Sequence, residues 1–177
     1  MKKNPSNTRT QYIALYGLMV ALALVLSYVE SMIPAFFAVP GMKLGLTNIV
    51  IVLALYKMGD WSAFTINLVR ILLVALLFGN FMSLAYSLAG GLLSTLVMIL
   101  LKKTEKFSVI PVSIVGGVTH NIGQILVAMV LLETKQLAWY LLVLWFTGMV
   151  TGALIGLIAG ELTRRLEKVN LGGGKHA

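Results

Sequence analysis

The sequence predicts an all-α integral membrane protein, built as one bundle of six transmembrane helices with both termini in the cytoplasm. Of its 177 residues, 59% are apolar and only 11% are charged, whereas a soluble domain carries roughly 25% charged residues. Six apolar stretches follow one another along the chain, and positive charges collect in alternate linkers. Together these features favour a multi-pass membrane protein with a single domain.

The predicted spans are residues 11–28, 44–58, 61–78, 81–101, 107–132 and 137–162. Most reach or approach the roughly 17–25 residues that cross a bilayer as a helix, although span two is short. Residues 1–10 are expected to form a cytoplasmic N-terminal segment, residues 11–165 the membrane domain, and residues 166–177 a flexible cytoplasmic tail. The linkers are too short to hold another domain.

The lysines and arginines outside the spans predict the orientation. One side of the predicted bundle carries Lys2, Lys3, Arg9, Lys57, Lys102, Lys103, Lys106, Arg164, Arg165, Lys168 and Lys175. The other side carries only Lys43 and Lys135. Cytoplasmic loops are the ones enriched in these residues, so both termini are expected inside after an even number of crossings. The net charge of +8 then reflects topology, and nucleic-acid binding is not expected because no separate basic face exists.

After span one, the segment 30–41 contains Pro34 and Pro40, which prevent a continuous helix. The segment is also too apolar for a solvated loop. Irregular backbone at membrane depth must be covered by protein, so we expect this segment to fold over the outer end of the bundle. A plain interfacial loop is the alternative.

Two stripes of small residues are candidates for contact with a partner subunit. Span one carries Ala14, Gly17 and Ala21, and span six carries glycines at intervals of four. The span-six candidates are Gly148, Gly152 and Gly156. Small residues allow the backbones of two membrane helices to approach closely. Packing within the bundle is the alternative for either stripe.

Arg70 lies near the middle of span three, about 13 Å along it at about 1.5 Å per residue. A charge in hydrocarbon is costly, so charged residues there usually pair or mark a substrate or ion path. All six acids of the chain, Glu30 among them, are expected at membrane edges or in loops. We therefore expect Arg70 to lack an internal counter-ion and to bind an anion from outside. An arginine that satisfies backbone carbonyls is the alternative.

Other polar residues are expected in the same outer half of the membrane, and with Arg70 they are the candidate substrate-binding residues. The full candidate set is Lys43, Asn48, Arg70, Asn80, Tyr86, His120, Asn121 and Gln124. His120 and Gln124 are four residues apart and share one helix face. A polar cavity in an apolar bundle is typical of a ligand site. For individual members, interhelical hydrogen bonds, packing or a headgroup position are alternatives.

Several chemistries are excluded by residue types. The chain has no cysteine, which excludes disulfides and thiolate metal sites, and it has only two histidines, so no metal site is expected. Asp60 is the only aspartate, so an aspartate-rich magnesium–diphosphate motif cannot form. There is no phosphate-binding G-x-x-x-x-G-K-[ST] motif and no G-x-S-x-G serine. We expect no catalytic residues and no cofactor.

Four segments resemble a known family: residues 25–30 (VLSYVE), 43–48 (KLGLTN), 86–91 (YSLAGG) and 113–124 (SIVGGVTHNIGQ). They are similar to the Gx transporter family, whose members are often labelled heptaprenyl diphosphate synthase component I. That family is similar in turn to the substrate-binding S components of energy-coupling factor (ECF) transporters. The resemblance covers roughly residues 10–165.

The resemblance implies a six-helix bundle in a prokaryotic cell membrane that captures a solute from outside. Its implied partners are a membrane coupling subunit and two cytoplasmic ATPases. Helix one would meet the coupling subunit through Ala14, Gly17 and Ala21, although Gly17 replaces an expected alanine. The alternative function is a non-transporting accessory subunit of an isoprenoid or quinone biosynthetic enzyme.

The predicted substrate is a small anionic or strongly hydrogen-bond-accepting molecule with an apolar body, such as a vitamin-like acid or an isoprenoid or quinone precursor. Arg70 offers a planar fork that suits a carboxylate or phosphate. Phe36, Phe37 and Trp145 are expected to cover the apolar part.

Overall fold

A computed structural model describes residues 5–32 and 45–166 of the protein, with side chains from residue 9 onward. In these residues the regular structure is helical. The six α-helices are α1 (Pro5–Met32), α2 (Asn48–Lys57), α3 (Asp60–Leu77), α4 (Phe81–Lys103), α5 (Val109–Leu131) and α6 (Tyr140–Arg165), and a short 3₁₀ helix, Lys135–Trp139, precedes α6. The segment predicted to cap the bundle is described only up to Met32, and Phe36, Phe37 and Lys43 lie outside the described residues.

Five of these helices are long and apolar enough to cross a membrane, and α2 is the exception. Its ten residues extend about 15 Å, half of a hydrocarbon core of about 30 Å. Every residue from 50 to 55 is buried. A helix that is apolar on all sides is stable only inside a core, and α2 is enclosed by its neighbours α1, α3, α5 and α6. Over the described residues, predicted span two is therefore a short buried helix.

Consecutive helices run antiparallel. Near one end, the Tyr12 hydroxyl of α1 lies 2.6 Å from the Ser62 hydroxyl at the start of α3. Toward the other end, the Ser27 hydroxyl of α1 lies 2.8 Å from that of Thr47, just before α2. We call these the Lys102 end and the Glu30 end, after the charged residues described below.

The helices α2 to α6 form a closed ring. Each contacts the next in chain order, and α6 returns to contact α2. Helix α1 lies outside this five-helix ring and packs against α3 and α2. The outward faces of the ring carry exposed leucines and valines, such as Leu76, Leu100 and Val130, as expected for a surface in contact with lipid.

The span-six glycines pack inside the ring. A Cβ atom at Gly152 would lie 2.7 Å from the Ser113 carbonyl oxygen, and one at Gly156 would lie 2.9 Å from the Ile110 Cα atom, both on α5. Gly148 faces α5 in the same way. The stripe is thus filled by α5, and the expectation that Gly148, Gly152 and Gly156 meet a partner is wrong for this arrangement. The internal-packing alternative describes them.

The small residues of α1 have the opposite environment. Ala14, Gly17 and Ala21 are exposed, and a Cβ atom at Gly17 would meet nothing within 4 Å. The opposite face of the helix, with Met19 and Ala23, is buried. Helix α1 therefore presents its small residues away from the bundle.

Lys102 joins three helices at its end of the bundle. Its ammonium group donates to the Leu55 carbonyl at 2.9 Å and to the Asp60 carboxylate at 2.7 Å. These contacts connect the last turn of α4 with the end of α2 and the start of α3.

Candidate functional site

Buried polar side chains collect between the middle of the bundle and its Glu30 end. They come from α1, α2, α3, α4 and α5, so five helices contribute to one polar cluster. Its members are Glu30, Asn48, Asn67, Arg70, Thr95, His120 and Gln124. Buried polar groups are costly unless they are hydrogen-bonded, and a polar cluster inside a membrane bundle is a candidate functional site.

Arg70 is held by α3 and α4. Its Nε atom donates to the Asn67 Oδ1 atom at 2.9 Å. The Asn67 Nδ2 atom donates in turn to the Gly91 carbonyl at 2.9 Å and to the Thr95 hydroxyl at 2.7 Å. Gly91 leaves room for this network, because a Cβ atom there would lie 2.8 Å from the Ile71 side chain and 3.3 Å from the Asn67 Nδ2 atom. The network fixes the guanidinium and, within the described residues, uses one of its five N–H groups.

Glu30 brings a carboxylate into the same region. It is buried in the last turn of α1, and its Oε1 atom accepts the backbone N–H of Gly45 and, at 3.3 Å, that of Leu46. The carboxylate also attracts the Arg70 guanidinium. Glu30 is thus a source of negative charge for Arg70, although the described residues contain no Arg70 ion pair within 4 Å. The expectation that Arg70 takes its anion from outside stays a prediction.

Gly45 gives the turn before α2 the backbone conformation that places its N–H group against this carboxylate. Its φ of +85° places it in the left-handed region, which glycine adopts at no steric cost. A Cβ atom there would lie 3.0 Å from the Asn48 Nδ2 atom and 4.0 Å from the His120 ring. The turn before α2 thus connects Glu30 with Asn48 and His120.

His120 and Gln124 line the α5 side of the cluster. The His120 Nε2 atom lies 3.1 Å from the Gln124 Nε2 atom, as expected for two residues four apart. Both pack against Gly90 of α4, where a Cβ atom would lie 2.8 Å from the Gln124 side chain. The Gln124 Oε1 atom is buried and has no hydrogen-bond partner among the described residues.

Three other candidate residues occupy different surroundings. The Asn121 Nδ2 atom donates to the Leu144 carbonyl of α6 at 2.8 Å, so the side chain bridges two helices. Tyr86 is buried in an apolar cluster with Ile125 and Leu144. Asn80 is exposed and accepts the Ser83 N–H at the start of α4, where it acts as a helix cap. Trp145, expected over the substrate, is exposed on α6.

Glu30, Asn67 and Thr95 belong to the cluster although they are not in the candidate set predicted from the sequence. For Asn67, a signal existed, because it lies three residues before Arg70 on the same helix face. For Glu30 the signal was weak, since an acid next to a proline-containing segment ordinarily marks a membrane edge. In the part of the chain that the structure describes, no group of three or more histidines or acids could hold a metal ion.

A family model described as "Heptaprenyl diphosphate synthase component I" matches residues 19–162, most of the chain. The chain belongs to this family. No curated protein and no solved structure matches it. The family name refers to a component of a synthase, and this member is a helical protein with five helices apolar enough to span a membrane. Its single aspartate, Asp60, lies at the Lys102 end and pairs with Lys102, away from the polar cluster.

Proposed function

We propose that this member of the family is the substrate-binding membrane subunit of an ECF-type, ATP-driven importer. The observation that carries the proposal is the buried polar cluster around Arg70, to which five helices contribute. A subunit that only anchors another protein gains nothing from burying an arginine, a glutamate and an unpartnered glutamine oxygen, each of which costs free energy in an apolar bundle.

The charge distribution supports capture from outside. Lysines and arginines concentrate at the Lys102 end, which we assign to the cytoplasm together with both termini. The polar cluster then lies toward the outer side. At the inner side, the fully buried residues of α2 and the Lys102 contacts close the bundle. This polarity suits a subunit of the prokaryotic cell membrane that receives a solute and passes it to partners.

The proposed partners are a membrane coupling subunit and two cytoplasmic ATPases. The exposed α1 face formed by Ala14, Gly17 and Ala21 is the surface we assign to the coupling subunit. Its small residues would allow close approach of a partner helix, and none of the described helices covers them.

The substrate is proposed to be a small organic molecule with a polar head and an apolar body, in the size range of a vitamin or of an isoprenoid or quinone precursor. An anionic head was expected because no carboxylate was predicted near Arg70. The attraction between Glu30 and Arg70 weakens that premise. The remaining N–H groups of Arg70 still favour a head that accepts hydrogen bonds.

An accessory role in prenyl diphosphate synthesis is the second candidate, because the family description names a synthase component. In that case the chain would anchor a synthase subunit and bind no solute. The residues named in the cluster would then serve only to hold the helices together.

Co-purification separates the two candidates. A tagged chain is expressed at native level in its own host, extracted in mild detergent, and its partners are identified by mass spectrometry. Recovery of a membrane coupling protein with ATPases supports the importer. Recovery of a prenyl synthase subunit without them supports the accessory role and contradicts our proposal.

A further inference from the structure

Asn67 connects Arg70 with the backbone of α4, and its amide group fits there in only one orientation. Its Oδ1 atom accepts the Arg70 Nε–H at 2.9 Å, and its Nδ2 atom donates to the Gly91 carbonyl at 2.9 Å. With the amide rotated by half a turn, two donors would meet at Arg70 and two acceptors at Gly91. The neighbours of Asn67 therefore determine that its oxygen faces Arg70.

Thr95 fixes the other side of this amide. Its hydroxyl donates to the Gly91 carbonyl at 2.8 Å, so its oxygen is left to accept from the Asn67 Nδ2 atom at 2.7 Å. Asn67 and Thr95 have no exposed surface, whereas Arg70 retains 3%. A buried network with matched donors and acceptors holds its side chains in one arrangement. The hydrogen bonds thus run in one direction, from Arg70 through Asn67 to α4.

This arrangement decides which edge of the guanidinium is left for a solute. Arginine can present two parallel donors either along the side formed by Nε and one Nη atom or at the end formed by both Nη atoms. Asn67 already accepts from Nε, so the side is occupied. The end formed by the two Nη atoms is the edge that remains.

The Nη end of Arg70 lies beside two adjacent glycines of α4. A Cβ atom at Gly91 would lie 3.6 Å from the Arg70 Nη2 atom, and one at Gly90 would lie 2.8 Å from the Gln124 side chain of α5. Successive residues of a helix point about 100° apart, so these two contacts are on neighbouring faces of one turn. The Nη end of Arg70 and the α5 residues of the polar cluster therefore lie at the same level of α4.

We propose that Asn67 is a positioning residue of the solute site, which holds Arg70 through Nε so that the two Nη atoms meet the head of the solute end-on. This inference rests on the proposed solute-binding function. The matching head has two acceptor atoms side by side in one plane, as a carboxylate has. Asn67 acts through Arg70, because its own polar atoms are taken up by Arg70, Gly91 and Thr95.

Nuclear magnetic resonance of the full-length protein with isotope-labelled arginine tests how Arg70 is held. The chain has four arginines, and the variant Arg70→Lys identifies the Arg70 signals. Arg165 is the internal control, since its Nε atom donates to Glu161 at 2.7 Å but its side chain is 76% exposed. We expect the Arg70 Nε–H to exchange with water at least about tenfold more slowly than that of Arg165. Equal exchange rates would overturn the proposal.

Benzoate is the probe for the solute head, because its carboxylate offers two oxygens in one plane. Added benzoate should shift the Arg70 Nη signals more than the Nε–H signal, since Asn67 keeps its hydrogen bond to Nε. A carboxylate that docked along the side of the guanidinium would displace Asn67 and shift the Nε–H signal most. That result, or the absence of any shift at Arg70, would overturn the proposal.

The variant Asn67→Leu tests the positioning role, because leucine keeps the shape of asparagine without its polar groups. It should weaken benzoate at least about tenfold, the effect of losing one well-placed hydrogen bond to a charged group. The Arg70 Nε–H should also exchange at least about tenfold faster. Wild-type affinity for benzoate in this variant would contradict the positioning role.

Two variants of Thr95 keep the proposal open to refutation if Asn67→Leu does not fold. Thr95→Val keeps the shape but removes the hydroxyl that accepts from Asn67, and it should speed the exchange of the Arg70 Nε–H at least about threefold. Thr95→Ser retains the hydroxyl and should exchange at the wild-type rate. Equal exchange in the two variants would overturn the proposal.

These measurements use the isolated chain, so their outcome is separate from that of the co-purification. If a coupling protein and ATPases are recovered and the Arg70 Nε–H is unprotected, the role of Asn67 is refuted and the importer stands. Recovery of a prenyl synthase subunit without them refutes the proposed function, whatever the exchange rates are.

Discussion

Helix α1 and the five-helix ring use small residues in opposite ways. In the ring, Gly152 and Gly156 bring the backbones of α5 and α6 together, and Gly90 and Gly91 let α4 approach the polar cluster. In α1, the residue Gly17 faces open space. The same sequence pattern therefore marks a filled interface in one region and an uncovered surface in the other.

The two regions also differ in what they contribute to the polar cluster. The ring supplies Arg70, Asn67 and Gln124, which are positioned by helix packing on several sides. Helix α1 supplies Glu30, which is held through the turn before α2. We infer that the ring is the rigid part of the site and that α1 connects the site to the surface assigned to the partner.

The largest effect on stability is expected at Arg70, whose guanidinium donates to Asn67 and attracts the Glu30 carboxylate. Arg70→Met leaves the buried Asn67 Oδ1 atom without its charged donor, and we expect a loss of about 3 kcal/mol or more. The double variant Glu30→Gln, Arg70→Met should recover part of this loss. Thermal unfolding of the four proteins in detergent gives the coupling free energy as a double-mutant cycle.

The exposed Lys103 provides the control for charge removal, and Lys103→Met should change the free energy of unfolding by less than about 1 kcal/mol. If the double variant is no more stable than Arg70→Met alone, Glu30 and Arg70 do not act as a pair. The link between α1 and the ring would then depend on other contacts.

A smaller loss is expected at the filled interface of the ring. In Gly152→Ala the new methyl group meets the Ser113 oxygen and the Ile114 Cα atom at 2.7 and 2.8 Å, so α5 and α6 must separate. Overpacking of this kind costs about 1–3 kcal/mol. In Gly160→Ala on the same helix, the methyl group lies 3.9 Å from Val109, an ordinary contact. Thermal unfolding should distinguish the two variants, and equal stability would contradict the packing described for α6.

The smallest effect on stability is expected for Gly17→Leu on α1. An exposed substitution with nothing within 4 Å should change the free energy of unfolding by no more than about 0.5 kcal/mol. Assembly with the proposed coupling subunit should nevertheless be lost, because leucine prevents close helix approach. The control is Leu22→Met, which changes an exposed residue about 100° around the helix from Ala21 and therefore outside the small-residue face. If Gly17→Leu retains full partner assembly in a pull-down, the α1 surface is not the partner contact.

Much of the helical structure could be predicted from hydropathy alone. Predicted spans 61–78 and 81–101 correspond closely to α3 (Asp60–Leu77) and α4 (Phe81–Lys103). The length expected of a membrane-crossing helix was less informative for α2. A short apolar helix that is buried by its neighbours has the same composition as a piece of a transmembrane helix. Its burial depends on the ring, which the sequence does not specify locally.

The site was predicted in part, and the differences have physical causes. The different surroundings of Asn121 could have been predicted from the sequence. Successive residues of a helix point about 100° apart, so Asn121 does not share a face with His120 and Gln124. The attraction between Glu30 and Arg70 could not be predicted, since the two residues are 40 positions apart and the place of Glu30 depends on a turn with a positive φ at Gly45. Likewise, glycine spacing shows that close approach is possible but not which helix approaches.

The most direct test of the account is native mass spectrometry of the protein purified gently from its own host membrane. We predict that the wild-type protein carries one small organic molecule per chain. The double variant Glu30→Gln, Arg70→Met, once thermal unfolding has shown that it is folded, should carry none. A wild-type protein without a bound molecule, or a double variant that retains it, would contradict solute binding at the Arg70 cluster.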